Sequence, residues 1–263
     1  MTINLGDVTG FVFDFDGVFY PEKVITRDFN RLCNTIKAQV AFGLLKKRGM
    51  DRKTAIELAY SGYQKYGDSI TGYCVWAKEN GVNSEKFKHT LFVEYHKNLQ
   101  VAFYRIAPHV FNQRRDLISA FKLSEGAVKN GVATHSCATH IARPFLRSMG
   151  IRNHFHEAAI IGLADGDYTL KHTTPHLIEL ACTAMEIAPE TIGFVEDSPR
   201  NLNTFKEKYP NAPTIYIHSG SPLVPLPNYI DFQFYNILEM KRAWAEERRR
   251  KNSIVLPPSK IEF

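Results

Sequence analysis

The chain has 263 residues, of which 44% are hydrophobic and 23% charged, a composition that suits a folded globular protein and argues against disorder in the body of the chain. Its four cysteines are widely spaced and form no Cys-x-x-Cys pair, which argues against a zinc site or a redox motif. The net charge of +6 is compatible with two kinds of partner, nucleic acid and small anionic substrates.

Residues 1–10 do not have the pattern of a secretory signal, because they carry Asp7 and lack a basic start followed by an apolar run. No apolar stretch approaches the ~20 residues that are needed to span a bilayer. We therefore expect a cytoplasmic protein that does not contact a membrane.

Two different patterns follow along the chain. Residues 8–14 form a short apolar run that ends at Asp14 and predicts a buried strand. Between about residues 24 and 105, apolar residues recur at helical spacing and no convincing strand is visible, which predicts an all-helical unit.

Beyond Pro108 strands and helices alternate. The predicted strands lie at residues 131–135, 158–161, 192–196 and 213–217, and the helices at about 138–149, 175–186 and 199–208. Such alternation predicts an α/β fold, with a Rossmann-like parallel sheet and helices on both of its faces. The first strand has no partner outside this sheet, so the all-helical unit is an insertion that we expect to cap the sheet.

This organisation predicts three regions. Residues 1–20 and 109–240 form the α/β catalytic core, residues 21–108 the helical cap, and residues 241–263 a basic helix with an extended or mobile tail. The charged side chains of that helix are Lys241, Arg242, Arg248, Arg249, Arg250 and Lys251, against Glu246 and Glu247. Such a run is typically the solvated face of a helix, and RNA binding or oligomer docking is the less favoured interpretation.

Polar side chains lie at the carboxyl ends of the predicted strands, where ligands bind in open parallel sheets. Asp14 and Asp16 follow the first strand, and Thr134 and Asp197 lie at the ends of two later strands. Carboxylates that meet at one edge repel each other unless a cation offsets their charge, and oxygen ligands of this kind suit Mg²⁺. The sequence therefore predicts a magnesium site formed by Asp14, Asp16 and Asp197.

The same residues suit the transfer of a phosphoryl group. The carboxylate of Asp14 can attack phosphorus and form an aspartyl-phosphate. The carboxyl group of Asp16 can protonate the leaving oxygen and then deprotonate the hydrolytic water. The Thr134 hydroxyl and the Lys171 ammonium can hold the remaining phosphate oxygens.

Three segments resemble motifs of the haloacid dehalogenase superfamily. Residues 11–20 (Phe-Val-Phe-Asp-Phe-Asp-Gly-Val-Phe-Tyr) resemble its first motif, residues 132–135 (Val-Ala-Thr-His) its second and residues 194–201 (Phe-Val-Glu-Asp-Ser-Pro-Arg-Asn) its fourth. Their order and spacing fit over residues 8–218, and the helical insertion resembles the helical cap type of the superfamily.

The resemblance implies a role for each matching residue. Asp14 is the expected nucleophile and a metal ligand, and Asp16 is the expected acid/base, whose backbone carbonyl also binds the metal. Thr134 is expected to bind phosphate, and Asp197 to bind the metal with Glu196 and Asn201 near it.

Two positions depart from the superfamily pattern. The residue after Thr134 is usually Asn and here is His135, which either caps the next helix or contacts the substrate. The lysine of the third motif is usually followed closely by proline, whereas His-Thr-Thr separates Lys171 from Pro175. We assign Thr134, His135 and Lys171 to substrate binding, and Thr134 and Lys171 to catalysis as well.

A narrower resemblance concerns residues 19–21, 63–72 and 92–99, which are similar to the pyrimidine 5′-nucleotidase branch of the superfamily. It implies a nucleoside 5′-monophosphate as the substrate, and a nucleoside and phosphate as the products.

The sequence thus predicts a Mg²⁺-dependent phosphomonoesterase that acts through an aspartyl-phosphate on a small phosphorylated metabolite, with a pyrimidine nucleotide favoured. A phosphosugar phosphatase or mutase on the same scaffold stays open, because a mutase also keeps both aspartates. Outside enzymes, the alternative is a non-catalytic relative that binds RNA, which steep salt dependence of RNA binding would favour. We expect no nucleic-acid partner, and the sequence leaves open whether the protein is a monomer or a homodimer.

Overall fold

Six parallel strands form the sheet in the computed structural model of the protein, which describes residues 3–21, 24–25, 28–66, 69–218, 220 and 222–254. The strands are β1 (Gly10–Phe13), β2 (Lys129–Ala133), β3 (Ile160–Ile161), β4 (Ile192–Glu196), β5 (Thr214–Ile217) and β6 (Phe232–Phe234). Their order across the sheet is β3-β2-β1-β4-β5-β6, and every neighbouring pair is parallel. The predicted α/β fold with a parallel sheet is confirmed.

Strand β1 lies in the middle of the sheet, and all four of its residues are buried, as expected for a strand that is covered on both faces. In the register of the sheet, Phe13 is the partner of Val132 in β2 and of Val195 in β4. The residues that follow these strands therefore emerge at one edge. The chain runs from β1 to β2 and β3 on one side and then crosses to β4 on the other, so this edge is the topological switch point where ligands bind.

Strand β4 has the predicted bounds, β1, β3 and β5 are shorter than predicted, and β2 and β6 differ in other ways. Strand β2 starts before the predicted residue 131, because its first residues are polar and escape a search for apolar runs. The buried side chain of Asn130 satisfies its amide group by donating to the carbonyl of His154, 2.9 Å away. Strand β6 was not predicted, since it has only three residues and none of them is fully buried.

The chain between β1 and β2 supplies a compact helical unit, which comprises the described part of Glu22–Phe111 together with Thr139–Ile141. Its helices are α1 (Phe29–Leu45), α2 (Arg52–Tyr66), α3 (Ser69–Glu79) and α4 (Ser84–Ile106). Short polar side chains accept a backbone N–H of the first turn at the start of α1, α2 and α4. These caps are Asp28, Asp51 and Asn83.

The other compact unit contains the sheet and the remaining helices of the described chain. These helices are α5 (Arg115–Lys122), α6 (Arg143–Ser148), α7 (His176–Met185), α8 (Pro199–Lys208) and α9 (Ile237–Ile254). Helix α7 packs against β2 and β3, α8 against β4 and β5, and α9 against α5. Within the described ranges, no helix is both long and apolar enough to cross a bilayer. The predicted tail beyond residue 254 lies outside the described residues.

Aromatic side chains form the core around β1. The ring centroid of Phe13 lies within 5.9 Å of the centroids of Phe11, Phe19, Phe121 and Phe155. Burial of one phenylalanine side chain contributes roughly 1.5–3 kcal/mol to stability. The carboxyl end of β1 is therefore fixed by a large apolar cluster.

Several basic side chains of α9 have partners within the protein. Lys251 pairs with Asp7, and Arg250 pairs with Glu246. The guanidinium group of Arg248 donates to a backbone carbonyl 3.2 Å away. Helix α9 therefore has fewer free cations than its sequence indicates, which weakens the interpretation that it binds RNA.

Lys241 does not lie on the solvated face that the sequence predicted for α9. Its side chain is 0% exposed, and its Nζ atom lies 4.0 Å from the ring centroid of Phe11. The Nζ atom donates to Ser124 Oγ at 2.9 Å and to Asn130 Oδ1 at 3.1 Å, and among the described residues no carboxylate is close enough to form an ion pair with it. Burial lowers the pKa of Lys241 well below its ordinary value.

We expect Lys241→Met to stabilise the protein relative to the wild type by an amount that grows as the pH falls. An amine whose pKa is lowered by folding binds its proton more readily in the unfolded chain, so the wild type loses stability below the pKa of an unfolded lysine, ~10.4. The difference in free energy of unfolding should grow by about 1.4 kcal/mol per pH unit while the folded amine stays neutral. Denaturant unfolding at pH 7 and pH 9 measures this difference.

Lys122→Met is the matched control, because Lys122 is exposed on α5 in the same compact unit. It measures what the exchange of lysine for methionine does to the free energy of unfolding at each pH without burial of the side chain. An equal pH dependence for the two variants would show that the amine of Lys241 is not held neutral in the fold.

Candidate active site

Asp14 is the first residue beyond β1, and its backbone N–H extends the ladder to β4 by donating to the carbonyl of Val195, 2.8 Å away. Its carboxylate is buried, and its Oδ1 atom lies 2.7 Å from the Nζ atom of Lys171. Lys171 belongs to the loop between β3 and α7, so a segment distant in sequence supplies the counter-charge. The structure thus brings two predicted site residues together.

The ammonium of Lys171 joins two buried carboxylates, since it also lies 2.6 Å from Glu196 Oε2. Lys171 is 1% exposed and Glu196 is 0% exposed. Burial works against the charged ammonium, but the carboxylates of Asp14 and Glu196 outweigh it and hold the pKa of Lys171 above its ordinary value. Lys171 is therefore a fixed cation at neutral pH.

Glu196 accepts hydrogen bonds from four donors. Besides Lys171 these are the side-chain amide of Asn201 at 3.0 Å and the backbone N–H groups of Asp197 and Ser198, each at 3.1 Å. Burial favours the neutral form of Glu196, yet its ion pair with Lys171 keeps its pKa below the ordinary value. Sequence analysis placed Glu196 only near the metal ligand, although its position as the last residue of β4 was a signal for a larger role.

Three carboxylates form an acidic cluster: Asp14, Glu196 and Asp197 each offer one oxygen within 4.8 Å of the others. Burial, followed by the charge of Glu196, raises the pKa of Asp14 well above its ordinary value and that of Asp197 to about 10. These shifts mean that the three carboxyl groups cannot all be ionised at neutral pH with the charge of Lys171 alone. The cluster therefore has the oxygen donors and the charge deficit that fit a divalent cation.

Gly17 permits the loop after β1 to approach Asp197. Its φ angle of +79° lies in the left-handed region, which side chains rarely adopt. A Cβ atom at this position would collide with the carboxylate of Asp197. The close approach to Asp197 thus explains why the residue after Asp16 is a glycine.

Two hydroxyl groups hold the carboxyl group of Asp16. Ser136 Oγ donates to Asp16 Oδ2 at 2.6 Å, and the Tyr20 hydroxyl donates to Asp16 Oδ1. Among the described residues, the side chain of Asp16 is not part of the acidic cluster. Sequence reasoning missed both hydroxyl residues; the only signal was their proximity in sequence to the residues that it did find.

Thr134 and His135 occupy the turn after β2. Thr134 is buried, and its Oγ1 atom accepts a hydrogen bond from the backbone N–H of Ser136 at 3.0 Å, so its own proton stays available for donation. His135 Nε2 accepts a hydrogen bond from the backbone N–H of Lys171 at 2.8 Å. Burial, followed by the charge of Lys171, lowers the pKa of His135 to about 3, so its ring is neutral.

The predicted residues therefore lie at one edge of the sheet in two kinds of surroundings. The carboxylate of Asp14 lies against a fixed cation and other carboxylates. The carboxyl group of Asp16 lies between hydroxyl groups. Two carboxyl groups in such different surroundings can act as a nucleophile and as a general acid/base.

The family model described as haloacid dehalogenase-like hydrolase matches residues 8–207 of the chain. Similar solved structures include a HAD phosphatase from Thermococcus onnurineus (TM-score 0.56, 17% identity, 89% of this chain and 96% of that chain covered). A hydrolase from Pseudomonas syringae is also similar (TM-score 0.55, 16% identity, 90% of this chain and 98% of that chain covered). So is a β-phosphoglucomutase from Clostridium difficile (TM-score 0.54, 13% identity, 94% of this chain and 99% of that chain covered). At these identities the likeness concerns the fold. No curated protein sequence matches the chain.

We expect Lys171→Met to lower the free energy of unfolding by about 3–5 kcal/mol, because it leaves the carboxylates of Asp14 and Glu196 buried without their cation. The loss should be smaller when Asp14→Asn is already present, since one of the two charges is then gone. Denaturant unfolding of the wild type, both single variants and the double variant, in chelator at neutral pH, measures the coupling.

Lys208→Met is the control, because Lys208 forms an equally short contact, 2.6 Å to Glu179, but is 52% exposed. Exposed pairs contribute about 0–1 kcal/mol. If Lys171→Met destabilised the protein no more than Lys208→Met, the ion pairs of Lys171 would not hold the site together.

Proposed function

The chain belongs to the haloacid dehalogenase-like hydrolases, and we propose that it hydrolyses small phosphate monoesters through a phosphorylated Asp14. The observation that carries the proposal is the separation of Asp14 and Asp16 into different surroundings. Asp14 contacts a buried cation, as a nucleophile that must bear negative charge requires. The carboxyl group of Asp16 instead accepts hydrogen bonds from the hydroxyls of Tyr20 and Ser136, which suits a group that exchanges a proton in each step.

The proposed reaction has two steps. In the first, a carboxylate oxygen of Asp14 bonds to phosphorus, the bond from phosphorus to the leaving oxygen breaks, and the proton of Asp16 passes to that oxygen. In the second, the ionised Asp16 takes a proton from water while the water oxygen attacks phosphorus and the bond to Asp14 breaks. Orthophosphate leaves, and both aspartates return to their starting forms.

Lys171 and Thr134 are the residues that we propose to bind the phosphoryl group. The Nζ atom of Lys171 lies 2.7 Å from Asp14, so it remains within reach of a phosphoryl group that is bonded to Asp14. The hydroxyl of Thr134 has a proton to donate at the same edge of the sheet. Fixed donors of this kind stabilise the charge that develops on the phosphate oxygens.

Asp14 and Asp197 are the residues that we propose to hold Mg²⁺, together with the backbone carbonyl of Asp16, as the superfamily resemblance implies. Support comes from the acidic cluster, because ionising all three of its carboxyl groups requires more positive charge than Lys171 supplies, as the raised pKa of Asp197 indicates. Glu196 is already engaged by four donors, so we assign it to fixing Lys171. When bound, the ion would supply positive charge to the phosphate oxygens.

A nucleoside 5′-monophosphate, with a pyrimidine favoured, is the substrate that we propose first. It is supported by the resemblance of residues 19–21, 63–72 and 92–99 to pyrimidine 5′-nucleotidases. Gly67 and Asp68 of the second segment lie outside the described residues, so this support stays with the sequence. A cytoplasmic location remains part of the proposal.

A sugar phosphate is the second candidate substrate. The β-phosphoglucomutase from Clostridium difficile has a similar fold along 94% of this chain. Both a phosphatase and a mutase require the two aspartates that this chain has at positions 14 and 16. The two candidates share the proposed aspartyl-phosphate and differ in the group that leaves.

We expect phosphate release that depends on Mg²⁺ from a panel of nucleoside monophosphates, sugar phosphates and a generic aryl phosphate. Asp14→Asn should lower the rate at least ~10³-fold, because the amide cannot form the covalent intermediate. Release only from pyrimidine nucleotides would support the first substrate, and release from sugar phosphates the second.

Asp116→Asn is the matched control, because this carboxylate of the same unit pairs with Arg114 at 2.6 Å and should not affect the rate. Wild-type rates in Asp14→Asn would contradict the assignment of the nucleophile. A folded protein that releases phosphate from no ester, with Mg²⁺ present, would contradict the proposed function.

We expect Tyr20→Phe and Ser136→Ala each to lower kcat about tenfold, because each removes one hydroxyl that orients the carboxyl group of Asp16. Tyr209→Phe is the control, since its hydroxyl donates to Glu179 at 2.7 Å, a carboxylate with no proposed role in the reaction. Steady-state kinetics with the best ester of the panel measures the effect. Unchanged kcat in both site variants would show that neither hydroxyl orients Asp16.

A further inference from the structure

The loop that carries Lys171 is anchored to two other segments of the same unit. The backbone N–H of Lys171 donates to His135 Nε2, in the turn after β2, at 2.8 Å. The backbone carbonyl of His172 accepts a hydrogen bond from Thr204 Oγ1 of α8 at 3.1 Å. Consecutive residues of the loop are thus tied to the segments that follow β2 and β4.

We propose that His135 is a positioning residue, whose imidazole fixes the backbone of Lys171 so that the ammonium meets Asp14. The catalytic consequence rests on the proposed function; the hydrogen bond itself does not. The side chain of Lys171 has several rotatable bonds, so two ion pairs at its tip do not by themselves fix where its backbone lies. A hydrogen bond at the base of the side chain removes that freedom.

The geometry determines the form of the imidazole ring. The backbone N–H of Lys171 can only donate, so Nε2 of His135 must present its lone pair and the ring proton lies on Nδ1. Protonation of Nε2 would place two donors against each other beside the ammonium of Lys171. Burial and that ammonium both lower the pKa of His135, which keeps the ring neutral.

The two departures of this chain from the superfamily motifs meet at this hydrogen bond. One is His135 in place of the usual Asn, and the other is the His-Thr-Thr segment between Lys171 and Pro175. An imidazole presents its Nε2 acceptor further from the backbone than Asn presents its amide oxygen. His135 then acts through Lys171 and not as a ligand of the substrate.

Three substitutions separate this role from a general effect on the fold. His135→Gln keeps a carbonyl oxygen at about the reach of Nε2, His135→Asn keeps an acceptor but shortens it, and His135→Leu fills the space without an acceptor. The experiment measures kcat and KM for the aryl phosphate, and the thermal unfolding midpoint of each variant.

We expect kcat to fall about 10- to 100-fold in His135→Leu and His135→Asn, since misplacing a catalytic cation slows the reaction more than it weakens binding. His135→Gln should stay within about threefold of the wild type, because it can accept the same N–H. Wild-type kcat in His135→Leu, or equal losses in all three variants, would overturn the proposal. So would a loss that tracks the unfolding midpoint across the series.

A measurement without turnover separates this proposal from the proposed function. In protein with ¹⁵N-labelled histidine, long-range ¹H–¹⁵N spectra at neutral pH should show His135 with its proton on Nδ1 and an unprotonated Nε2. The spectrum of His135→Leu lacks the His135 signals and so identifies them in the wild type. In the same variant the backbone amide resonance of Lys171 should shift, because it loses its acceptor. A proton on Nε2 would overturn the proposal. If the expected tautomer is found but the protein hydrolyses none of the esters, the positioning hydrogen bond is supported and the proposed phosphatase activity is contradicted.

Discussion

The ammonium of Lys171, held between the carboxylates of Asp14 and Glu196, is the interaction on which the site depends. Buried carboxylates at this spacing repel each other, and a buried ion pair is stable only when its remaining hydrogen bonds are also satisfied. The amide of Asn201 and two backbone N–H groups meet that condition for Glu196. His135 does not touch the ammonium, but it accepts a hydrogen bond from the backbone N–H of Lys171.

One turn of chain after β1 gives its two aspartates opposite surroundings. Asp14 continues the ladder to β4 and faces buried charges, whereas Asp16 accepts from the hydroxyls of Tyr20 and Ser136. Gly17 makes the turn possible, because only glycine leaves room for the carboxylate of Asp197. A short local sequence thus depends on residues at the ends of three strands to separate the proposed nucleophile from the proposed acid/base.

The strands and their acidic ends were predictable, because an apolar run that stops at a carboxylate has a direct meaning in a parallel sheet. The partners of Asp16 were not, since a hydroxyl has no periodic signature and Tyr20 also packs in the core. The contact of His135 with Lys171 joins segments that only the fold brings together. The prediction for Lys241 was wrong, because a run of basic residues predicts a solvent-exposed helix face. The side chain of Lys241 is buried among aromatic rings instead.

The central position of β1 determines when the sheet can be completed during synthesis of the chain. The ribosome releases β1 first, but its neighbour β4 follows only after the helical unit and strands β2 and β3. Until β4 is synthesised, one side of β1 is an unpaired, apolar strand edge, which is prone to aggregation. The helical unit can already fold, because its helices contact neighbours that are close in sequence. A nascent chain that stops before β4 therefore contains Asp14 and Lys171 but lacks Glu196, the second carboxylate that pairs with Lys171.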